Sequence, residues 1–483
     1  LWLNDTRFSI KSHPFFNVGQ KLNHMNQDKK AFGGDTRREF IKKSTLAAAA
    51  VATSVNLFKT PVYGQNQAPS TGRVIGANDR INVGYIGLGP QGFDAHLVGQ
   101  KNAAADNNIA QIAVCDLSKH RTEQGKTEIG TADVKTYSEY QKLLENKDVD
   151  AVVVSTHDIW HAKVSIDALN AGKHVYVEKP ITRYLDEAFE VADAVKKSGK
   201  ILQVGSQGCS DAKWHKAAEL IKAGKVGQLV LGQDSYMRNN PKGEWNYKIQ
   251  PWATASDIDW KTWLGKVKKT TDFNVDAYFR WRKYYPYCAG LLGDLFPHRL
   301  HPLMLATGNP EFPSRVVCIG TKAIHTDKLT EGTPERDVPE SSQVLAEFPS
   351  GLSLFVTCGT VNEQGLPSVI RGQKGTLYMS GNTVTLNPEK PFTEDIDPEE
   401  FKGLTPGEDI PVHEKNWFDC IRANKQPNAN IDLAIRVQTV ISLAEISERL
   451  KIACCFDEKT RKITTGPDGK EIQPLTYGST ELS

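Results

Sequence analysis

The junction at Ile86 constrains this chain more than any other feature. Ile81 to Ile86 is a short apolar run that reads as a strand, and it passes without a spacer into Gly87-Leu88-Gly89-Pro90-Gln91-Gly92. A G-x-G-x-x-G sequence after a strand and before an amphipathic stretch, here Gln91 to Gly99, is a dinucleotide-binding fingerprint. The first glycine allows the tight turn, the second lets the backbone approach a pyrophosphate, and the third allows close packing of helix on strand. The helix N-terminus offers free N–H groups and a positive dipole end to the phosphates. The next strand, Gln111 to Cys115, ends in Asp116, where a carboxylate is expected to bond the ribose 2′-hydroxyl. The spacing from Gly87 exceeds the usual ~20 residues, which a longer helix or loop absorbs. A carboxylate there repels a 2′-phosphate, so NAD is favoured over NADP.

The alternation continues beyond this unit. Ala151 to Ser155 is a continuous apolar run, the pattern of a strand buried on both faces of a parallel sheet. After Thr156-His157-Asp158-Ile159-Trp160-His161 comes a helix to Ala171, then a strand from His174 to Val177 that ends in Glu178-Lys179-Pro180. A helix from Leu185 to Lys197 leads to a last strand, Ile201 to Gly205. Ligands of open parallel sheets bind beyond the carboxyl ends of the strands. Gly87, Asp116, Thr156 and Lys179 all fall at such ends. Past Gly205 the period shifts: Val344 to Phe348, Leu352 to Thr357, Ser368 to Gly372 and Thr376 to Met379 read as antiparallel strands between Gly/Pro turns. Ile396 to Pro411 reads as a loop, Asn416 to Leu450 as two helices broken at Lys425 to Asn430, and the tail from Lys459 as polar with no assigned function.

With these residues in hand the chain resembles the Gfo/Idh/MocA oxidoreductases, relatives of glucose-fructose oxidoreductase and inositol dehydrogenase. The resemblance covers roughly Ile81 to Asp457. It is carried by the glycine loop, Thr156-x-x-x-x-His161, Ala171-Gly172-Lys173-His174-Val175-Tyr176-Val177-Glu178-Lys179-Pro180, and Gly290-x-x-Gly293-Asp294-x-x-x-His298. His157 departs from it, since the family usually has proline after the threonine. The resemblance implies an α/β N-terminal Rossmann domain followed by an α+β C-terminal domain with an open, mostly antiparallel sheet whose exposed face commonly pairs subunits. It implies an NAD(P)-dependent dehydrogenase acting on a sugar or polyol. Lys179 would contact substrate and nicotinamide, and Asp294 and His298 would act in proton transfer. The expected cofactor-binding residues are Gly87, Leu88, Gly89, Gln91, Gly92, Asp116, Thr156, His161, Glu178 and Lys179.

Removing hydride from a secondary carbinol requires a base for the hydroxyl proton, while the cofactor carries the redox step. An unperturbed imidazole titrates near neutral pH, which makes His298 the natural candidate. Asp294, four residues earlier, shares a face with it on a continuous helix and would raise its pKa and orient it. An ordinary surface pair is the plain alternative. His301 extends the same face, but no further ligand with zinc spacing lies nearby, so no metal is expected. Phe279-Arg280-Trp281-Arg282-Lys283-Tyr284-Tyr285, with Tyr236, Arg238 and Trp245, is dense in rings and donors that suit a sugar and equally suit a core.

Thr36-Arg37-Arg38-Glu39-Phe40-Ile41-Lys42-Lys43 is a twin-arginine sequence, followed by an alanine-rich apolar stretch from Thr45 to Phe58. At that length it suits the apolar region of an export signal better than a membrane span. Cleavage near Gly64 is expected, with no cysteine there for a lipid anchor. The twin-arginine route carries folded proteins, so a periplasmic protein with a tightly held cofactor is expected. The expected organisation is a leader over 1–64, a linker over 65–80, the NAD-binding domain over 81–205, a substrate and oligomerisation domain over 206–457 and a polar tail over 458–483. Net charge agrees with that division. The chain has 59 Lys+Arg and 57 Asp+Glu, but residues 1–64 hold 10 basic and 4 acidic residues, leaving the remainder with 49 and 53. A mildly acidic remainder gives no basic face for nucleic acid. At 39% hydrophobic and 24% charged residues, disorder, collagen and coiled coil are excluded.

The expected partners are a small carbohydrate and a second copy of the chain through the C-terminal sheet, with no stable membrane anchor. Three functions fit: an exported NAD-dependent oxidoreductase acting on a secondary hydroxyl, a redox-neutral glycosidase that oxidises, eliminates and reduces back, and a non-catalytic sugar-binding protein on the same scaffold.

Overall fold

The sequence reading places the first sheet's strands where apolar runs meet strand-end turns, and the chain folds that way. The computed structural model describes residues 80–477 apart from 269, 270, 406 and 468. The twin-arginine segment, its apolar stretch and the Gly64 region lie outside the described residues.

Strands β1 (Ile81–Ile86), β2 (Ile109–Cys115), β3 (Lys135–Tyr137), β4 (Ala151–Val154), β5 (His174–Val177) and β6 (Leu202–Val204) form an all-parallel sheet in the order β3-β2-β1-β4-β5-β6. Every residue of β1, β4 and β5 is buried, because helices cover both faces. The order reverses between β1 and β4, and the crevice at that switch point opens directly above the glycine loop. Only β3 escaped the sequence reading: it is a three-residue edge strand with little buried surface to impose a pattern. The stretch after the glycine loop winds as a π-helix, Gln91–Val98, continued by one α turn, Gly99–Asn102.

The second sheet holds β7 (Leu229–Met237), β8 (Arg315–Thr321), β9 (Ser341–Glu347), β10 (Ser353–Gly359), β11 (Ser368–Gly372), β12 (Gly375–Ser380) and β13 (Thr383–Pro388). The short strands β14 (Glu399–Phe401), β15 (Cys454–Asp457), β16 (Lys462–Thr464) and β17 (Glu471–Ile472) complete its edges. The order is β14-β13-β12-β11-β7-β10-β9-β8-β15-β16-β17, antiparallel throughout except for the β7–β10 pair. One face packs on helices Pro297–Ala306 and Ile431–Leu450 through Val316, Val344, Ala346 and Val356. The opposite face carries a cross-strand row, Val317 against Leu345 against Phe355, with Ile319 61% exposed and Leu345 49% exposed. The expected fold class, a Rossmann domain followed by an open, mostly antiparallel sheet, is the one observed.

Three expectations about the C-terminal half need correction. The Ile396 to Pro411 segment is not all loop: it contributes β14, and Asp409 caps a helix, Ile410–Ala423, by accepting from Val412 N. The first C-terminal helix therefore begins six residues before Asn416. The tail from Lys459 adds β16 and β17 to the sheet edge, since backbone pairing there needs no apolar run. Its Tyr477 hydroxyl lies 2.8 Å from Glu187 Oε1 and 3.0 Å from the Ile159 carbonyl, which ties the tail to the first domain. Helix Ile410–Ala423 also packs against the parallel sheet. Its Trp417 and Phe418 complete the core of the parallel sheet with Tyr85, Val153 and Tyr176, and Gln203 Nε2 donates to the His413 carbonyl at 2.7 Å.

Candidate active site

A cavity of about 870 Å³ runs from the glycine loop to the first turns of the Asp294 and His298 helices. At its first end the loop is shaped by contacts that forbid side chains. Gly87 has φ +91°, and a Cβ there would lie 2.7 Å from the Ser155–Thr156 backbone. A Cβ on Gly92 would lie 2.1 Å from the Gly87 carbonyl oxygen. Gly89 differs: a Cβ would meet only Arg121 Nη1 at 3.8 Å, so the missing side chain leaves room on the cavity side. Asp116 spans the loop and the next turn, accepting from Leu88 N at 2.7 Å and Ser118 N at 2.8 Å, and it lines the cavity. A glycine whose missing Cβ faces open space, beside a strand-end carboxylate and a helix start, fits a dinucleotide.

Opposite this end lies a strap from the second half that no sequence pattern announced. Asp257 accepts from Ser118 Oγ at 2.5 Å and from His120 N at 2.9 Å. Lys119 N donates to the Asp257 carbonyl at 3.2 Å, and Asp259 N to the Leu117 carbonyl at 3.1 Å. Trp252 stacks on His120 at 4.4 Å between centroids, and the Arg121 guanidinium sits 4.8 Å over the Tyr278 ring. These contacts close the second half over the turn that follows β2.

Between the two ends Glu178 and His96 form a buried charge pair. Glu178 accepts from His96 Nε2 at 2.8 Å, Gln91 Nε2 at 2.9 Å and Lys179 N at 3.1 Å. The other His96 nitrogen lies 2.6 Å from Glu414 Oε1. Burial alone would lower the His96 pKa, but hydrogen bonds and charge from both carboxylates raise it to about 10. Burial alone would raise Glu178, and His96 holds it down at about 2. Burial raises Glu414. The pair is therefore imidazolium with the Glu178 carboxylate.

At the far end Lys179 Nζ donates to Asp294 Oδ1 at 2.8 Å and to the Asp294 carbonyl at 3.0 Å. Arg282 Nε donates to the same Oδ1 at 3.1 Å, and Trp245 Nε1 to Oδ2 at 3.0 Å. Burial opposes ionisation of Asp294, but Lys179 and Arg282 hold its pKa far below the usual carboxylate range. The expected Asp294–His298 pairing is met only in charge: Asp294 pulls the His298 pKa upward, but no hydrogen bond joins the two among the described residues. Leu295 and Phe296 separate the short helix Leu291–Asp294 from helix Pro297–Ala306, and His298 N donates to the Leu295 carbonyl instead of to Asp294. Both Asp294 oxygens are committed to Lys179, Arg282 and Trp245. His298 is buried edge-on to Tyr236, its Nδ1 without a partner. Burial, then Lys179, pushes its pKa well below 6.5, the reverse of the shift expected from Asp294. His301 turns away and shares its Nδ1 with Ser206 Oγ and the Pro297 carbonyl.

His161 lines the cavity as expected, but its nitrogens lie 2.7 Å from the Pro180 carbonyl and 3.0 Å from the Thr156 carbonyl. It braces the two strand-end loops and has no ring nitrogen left for a cofactor. Thr156 lines the cavity with its hydroxyl 3.2 Å from the His157 carbonyl. His157 stacks on Trp263 at 4.2 Å, and burial pushes its pKa down to about 3. Of the ring-and-donor stretch, Phe279, Trp281, Arg282, Tyr236 and Arg238 reach the cavity. Lys283 turns instead to Asp327, and Tyr285 to Glu448. The sequence reading passed over Asp158, which also lines the cavity; its position just past the end of β4 was the available signal. Nothing in the sequence pointed to Arg121, Trp252, Asp257 or the His96–Glu414 contact, whose partners lie far apart along the chain.

Fold and site together define a Rossmann-type domain with a dinucleotide-binding turn, joined to a second domain that closes its cavity. Residues 81–206 match the Gfo/Idh/MocA family, described as an oxidoreductase family with an NAD-binding Rossmann fold. The chain is 26% identical over 231 residues to an α-N-acetylgalactosaminidase of Shewanella oneidensis, a match covering 45% of this chain and 50% of the relative. It is 31% identical over 186 residues to an inositol 2-dehydrogenase of Salmonella paratyphi B, covering 38% and 54%. The chain thus spans about half the length of the curated relatives it matches. Among solved structures it is similar to a levoglucosan dehydrogenase in complex with NADH and levoglucosan, with a TM-score of 0.58 at 16% identity over 77% of this chain and 98% of the other. An aldose-aldose oxidoreductase from Caulobacter crescentus gives 0.58 at 17% identity over 78% and 100%. At these identities the structures establish the shared fold.

Proposed function

We propose that the protein is an exported oxidoreductase that uses tightly held NAD to oxidise a secondary hydroxyl of a sugar, polyol or glycoside. The observation that carries this reading is the Lys179–Asp294 ion pair, which brings the end of β5 and the second domain together in the cavity that begins at the glycine loop. Bound NAD would supply the hydride acceptor. Gly87, Gly89 and Gly92 shape its phosphate turn, Asp116 stands where a ribose hydroxyl is held, and Glu178 fixes Gln91 and Lys179 behind it. Lys179, oriented by its hydrogen bonds to Asp294, is suited to donate to the substrate oxygen and stabilise the negative charge developing there. Arg282 shares that carboxylate's Oδ1 with Lys179, and Trp245 holds its Oδ2. Tyr236, Trp281 and Arg238 give the rings and polar edges that a carbohydrate needs.

The strap over the β2 turn supports a nucleotide that does not exchange, and the twin-arginine sequence supports export to the periplasm after the protein has folded. The row of exposed Val317 and Leu345 with half-buried Phe355 supports pairing of subunits through the second sheet. A second reading, a redox-neutral glycosidase, is favoured by the likeness to an α-N-acetylgalactosaminidase and shares the same first step. Mass spectrometry of nucleotide released from the denatured protein, followed by a sugar panel read at the nicotinamide absorbance, tests the first reading. Protein that holds no nucleotide and binds no added NAD sinks it. Phenol released from aryl glycosides without an added acceptor selects the second.

A further inference from the structure

Two of the groups that hold Asp294 come from the second domain: Arg282 Nε on Oδ1 and Trp245 Nε1 on Oδ2. Trp245 is held in an uncommon way. Its φ is +66°, left-handed backbone that a bulky residue seldom adopts and keeps only where its surroundings over-determine it. The residue is 1% exposed and does not line the cavity.

Those surroundings converge on one carboxylate. Asp327 sits on the short 3₁₀ turn Thr326–Leu329, between β8 and β9, and is itself buried. Arg336 donates to it from its backbone N and from Nε at 2.8 Å, and from Nη2 at 2.9 Å. The same Nη2 donates to the Glu244 carbonyl at 2.8 Å, next to Trp245, and the guanidinium lies 5.7 Å over the Trp245 ring. Asn246, on the other side of Trp245, donates to Asp327 Oδ1 at 2.9 Å. Lys283, next to Arg282, is fully buried. Its Nζ lies 3.3 Å from Asp327 Oδ1 and donates to Asn246 Oδ1 at 2.9 Å. Asp327 thus holds the chain neighbours of both second-domain donors to Asp294. Gly243 closes the turn at φ +78°, where a Cβ would lie 2.6 Å from Asn246 Nδ2. Burial opposes ionisation of Asp327, and Arg336, Asn246 and Lys283 hold its pKa at about 2. Exchanging such a buried ion cluster for apolar side chains of similar volume is often neutral or stabilising, so stability alone does not account for it. A fixed geometry does.

We propose that Asp327 is a positioning residue for the oxidation: through Arg336, Asn246 and Lys283 it sets Trp245 and Arg282, and these hold the Asp294 carboxylate so that Lys179 faces the substrate oxygen. This deepens the oxidoreductase reading above and rests on it. Among the described residues Asp327, Arg336, Lys283 and Trp245 do not line the cavity, so they act on the reaction only through Asp294 and Arg282. With Oδ2 on Trp245 and Oδ1 shared by Arg282 and Lys179, the carboxylate has no free oxygen with which to turn away. The Lys179 ammonium therefore keeps its direction during the hydride step. Displacing a reacting group by ~1 Å from a site far from the chemistry can cost about 10²-fold in rate.

The test uses the purified full chain with its own nucleotide and three probes: myo-inositol, levoglucosan and p-nitrophenyl α-N-acetylgalactosaminide. Trp245→Phe keeps a ring and removes the N–H, and Asp327→Asn keeps the shape and removes the charge. In single-turnover reduction of the bound nicotinamide, each should slow hydride transfer roughly 10- to 100-fold on any probe the parent oxidises, with substrate KM and nucleotide content unchanged. The deciding comparison is a double-mutant cycle with Asp294→Asn. Because Trp245 acts through Asp294, Trp245→Phe should slow the Asp294→Asn protein by less than about twofold further. In proton–nitrogen correlation spectra the indole signal missing from Trp245→Phe identifies Trp245, and it should move upfield in Asp327→Asn as its hydrogen bond is released. If Asp327→Asn does not fold, Arg336→Lys, which keeps the charge but not the guanidinium fork, takes its place in both measurements. Hydride transfer at the parent rate, effects of Trp245→Phe and Asp294→Asn that multiply in full, a raised KM with kcat unchanged, or an indole signal that stays in place overturns the proposal and leaves the oxidoreductase reading intact. A parent that holds no nucleotide or oxidises none of the probes overturns both.

Discussion

His96 and His298 are two buried imidazoles on helices beside one cavity, and burial has opposite outcomes for them. His96, completely buried, sits between Glu178 and Glu414 and is held as a cation with its pKa raised to about 10. His298, 7% exposed, has Lys179 for a charged neighbour and an Asp294 whose oxygens are already taken, and its pKa falls well below 6.5. Desolvation disfavours the charged form of both; the sign is decided by whether a free carboxylate is in reach. The glycine-loop end has therefore become a fixed charged brace behind the cofactor-binding turn. The far end keeps its histidine neutral and gathers its charge on Asp294, paired with Lys179 and Arg282.

The largest way to break this contrast is at the far end. Lys179→Ala removes the cation that both depresses His298 and faces the substrate, and hydride transfer is expected to fall roughly 10²- to 10³-fold. Single-turnover reduction of the bound nicotinamide measures it. At the other end, His96→Gln leaves Glu178 buried without its counter-charge and is expected to cost about 3–5 kcal/mol of stability, read by denaturant unfolding. Because the folded pKa of His96 lies above its unfolded value of 6.5, its contribution is complete below pH 6.5 and is lost as pH rises through about 10. The gap between parent and variant should therefore close on the alkaline side.

His298 predicts the mirror image. Its folded pKa is depressed, so between 6.5 and that lower value the unfolded chain binds a proton the folded chain refuses, and stability falls with falling pH. His298→Asn should remove that acid-side slope, up to about 1.4 kcal/mol per pH unit, in unfolding curves taken below pH 6.5. If both variants flatten the same side of the pH profile, the contrast is wrong. The smallest effect is expected at the strap. Asp257→Ala deletes the acceptor shared by Ser118 and His120 and should speed release of bound nucleotide about tenfold, the scale of one charged hydrogen bond. Dissociation followed by fluorescence of the reduced nicotinamide checks this, with substrate KM unchanged.

The first domain was legible because its signals are local. Ile81–Ile86 and His174–Val177 fall where the apolar runs end, and Gly87 and Gly92 are glycine because the backbone of the loop itself, with the neighbouring strand end, leaves no room for a Cβ. The second domain was legible only as strands. Its short edge pieces, β14, β16 and β17, are held by backbone pairing and carry no apolar pattern. At the site, Lys179, Asp294 and His298 were found by their motifs, yet their relations were misread. A spacing of four implies a shared face only on an unbroken helix, and Pro297 starts a new one.

The sequence by itself determined the parallel sheet, its phosphate turn and the identity of the strand-end residues, since each depends on neighbours within a few positions. The tertiary structure alone decided which charges meet. It set Glu414 against His96, Asp257 against Ser118 and Lys179 against Asp294, and it left Asp158 facing the cavity without a partner. Electrostatic interaction depends on distance in space and on the water excluded between groups, and neither quantity is written in the order of the residues.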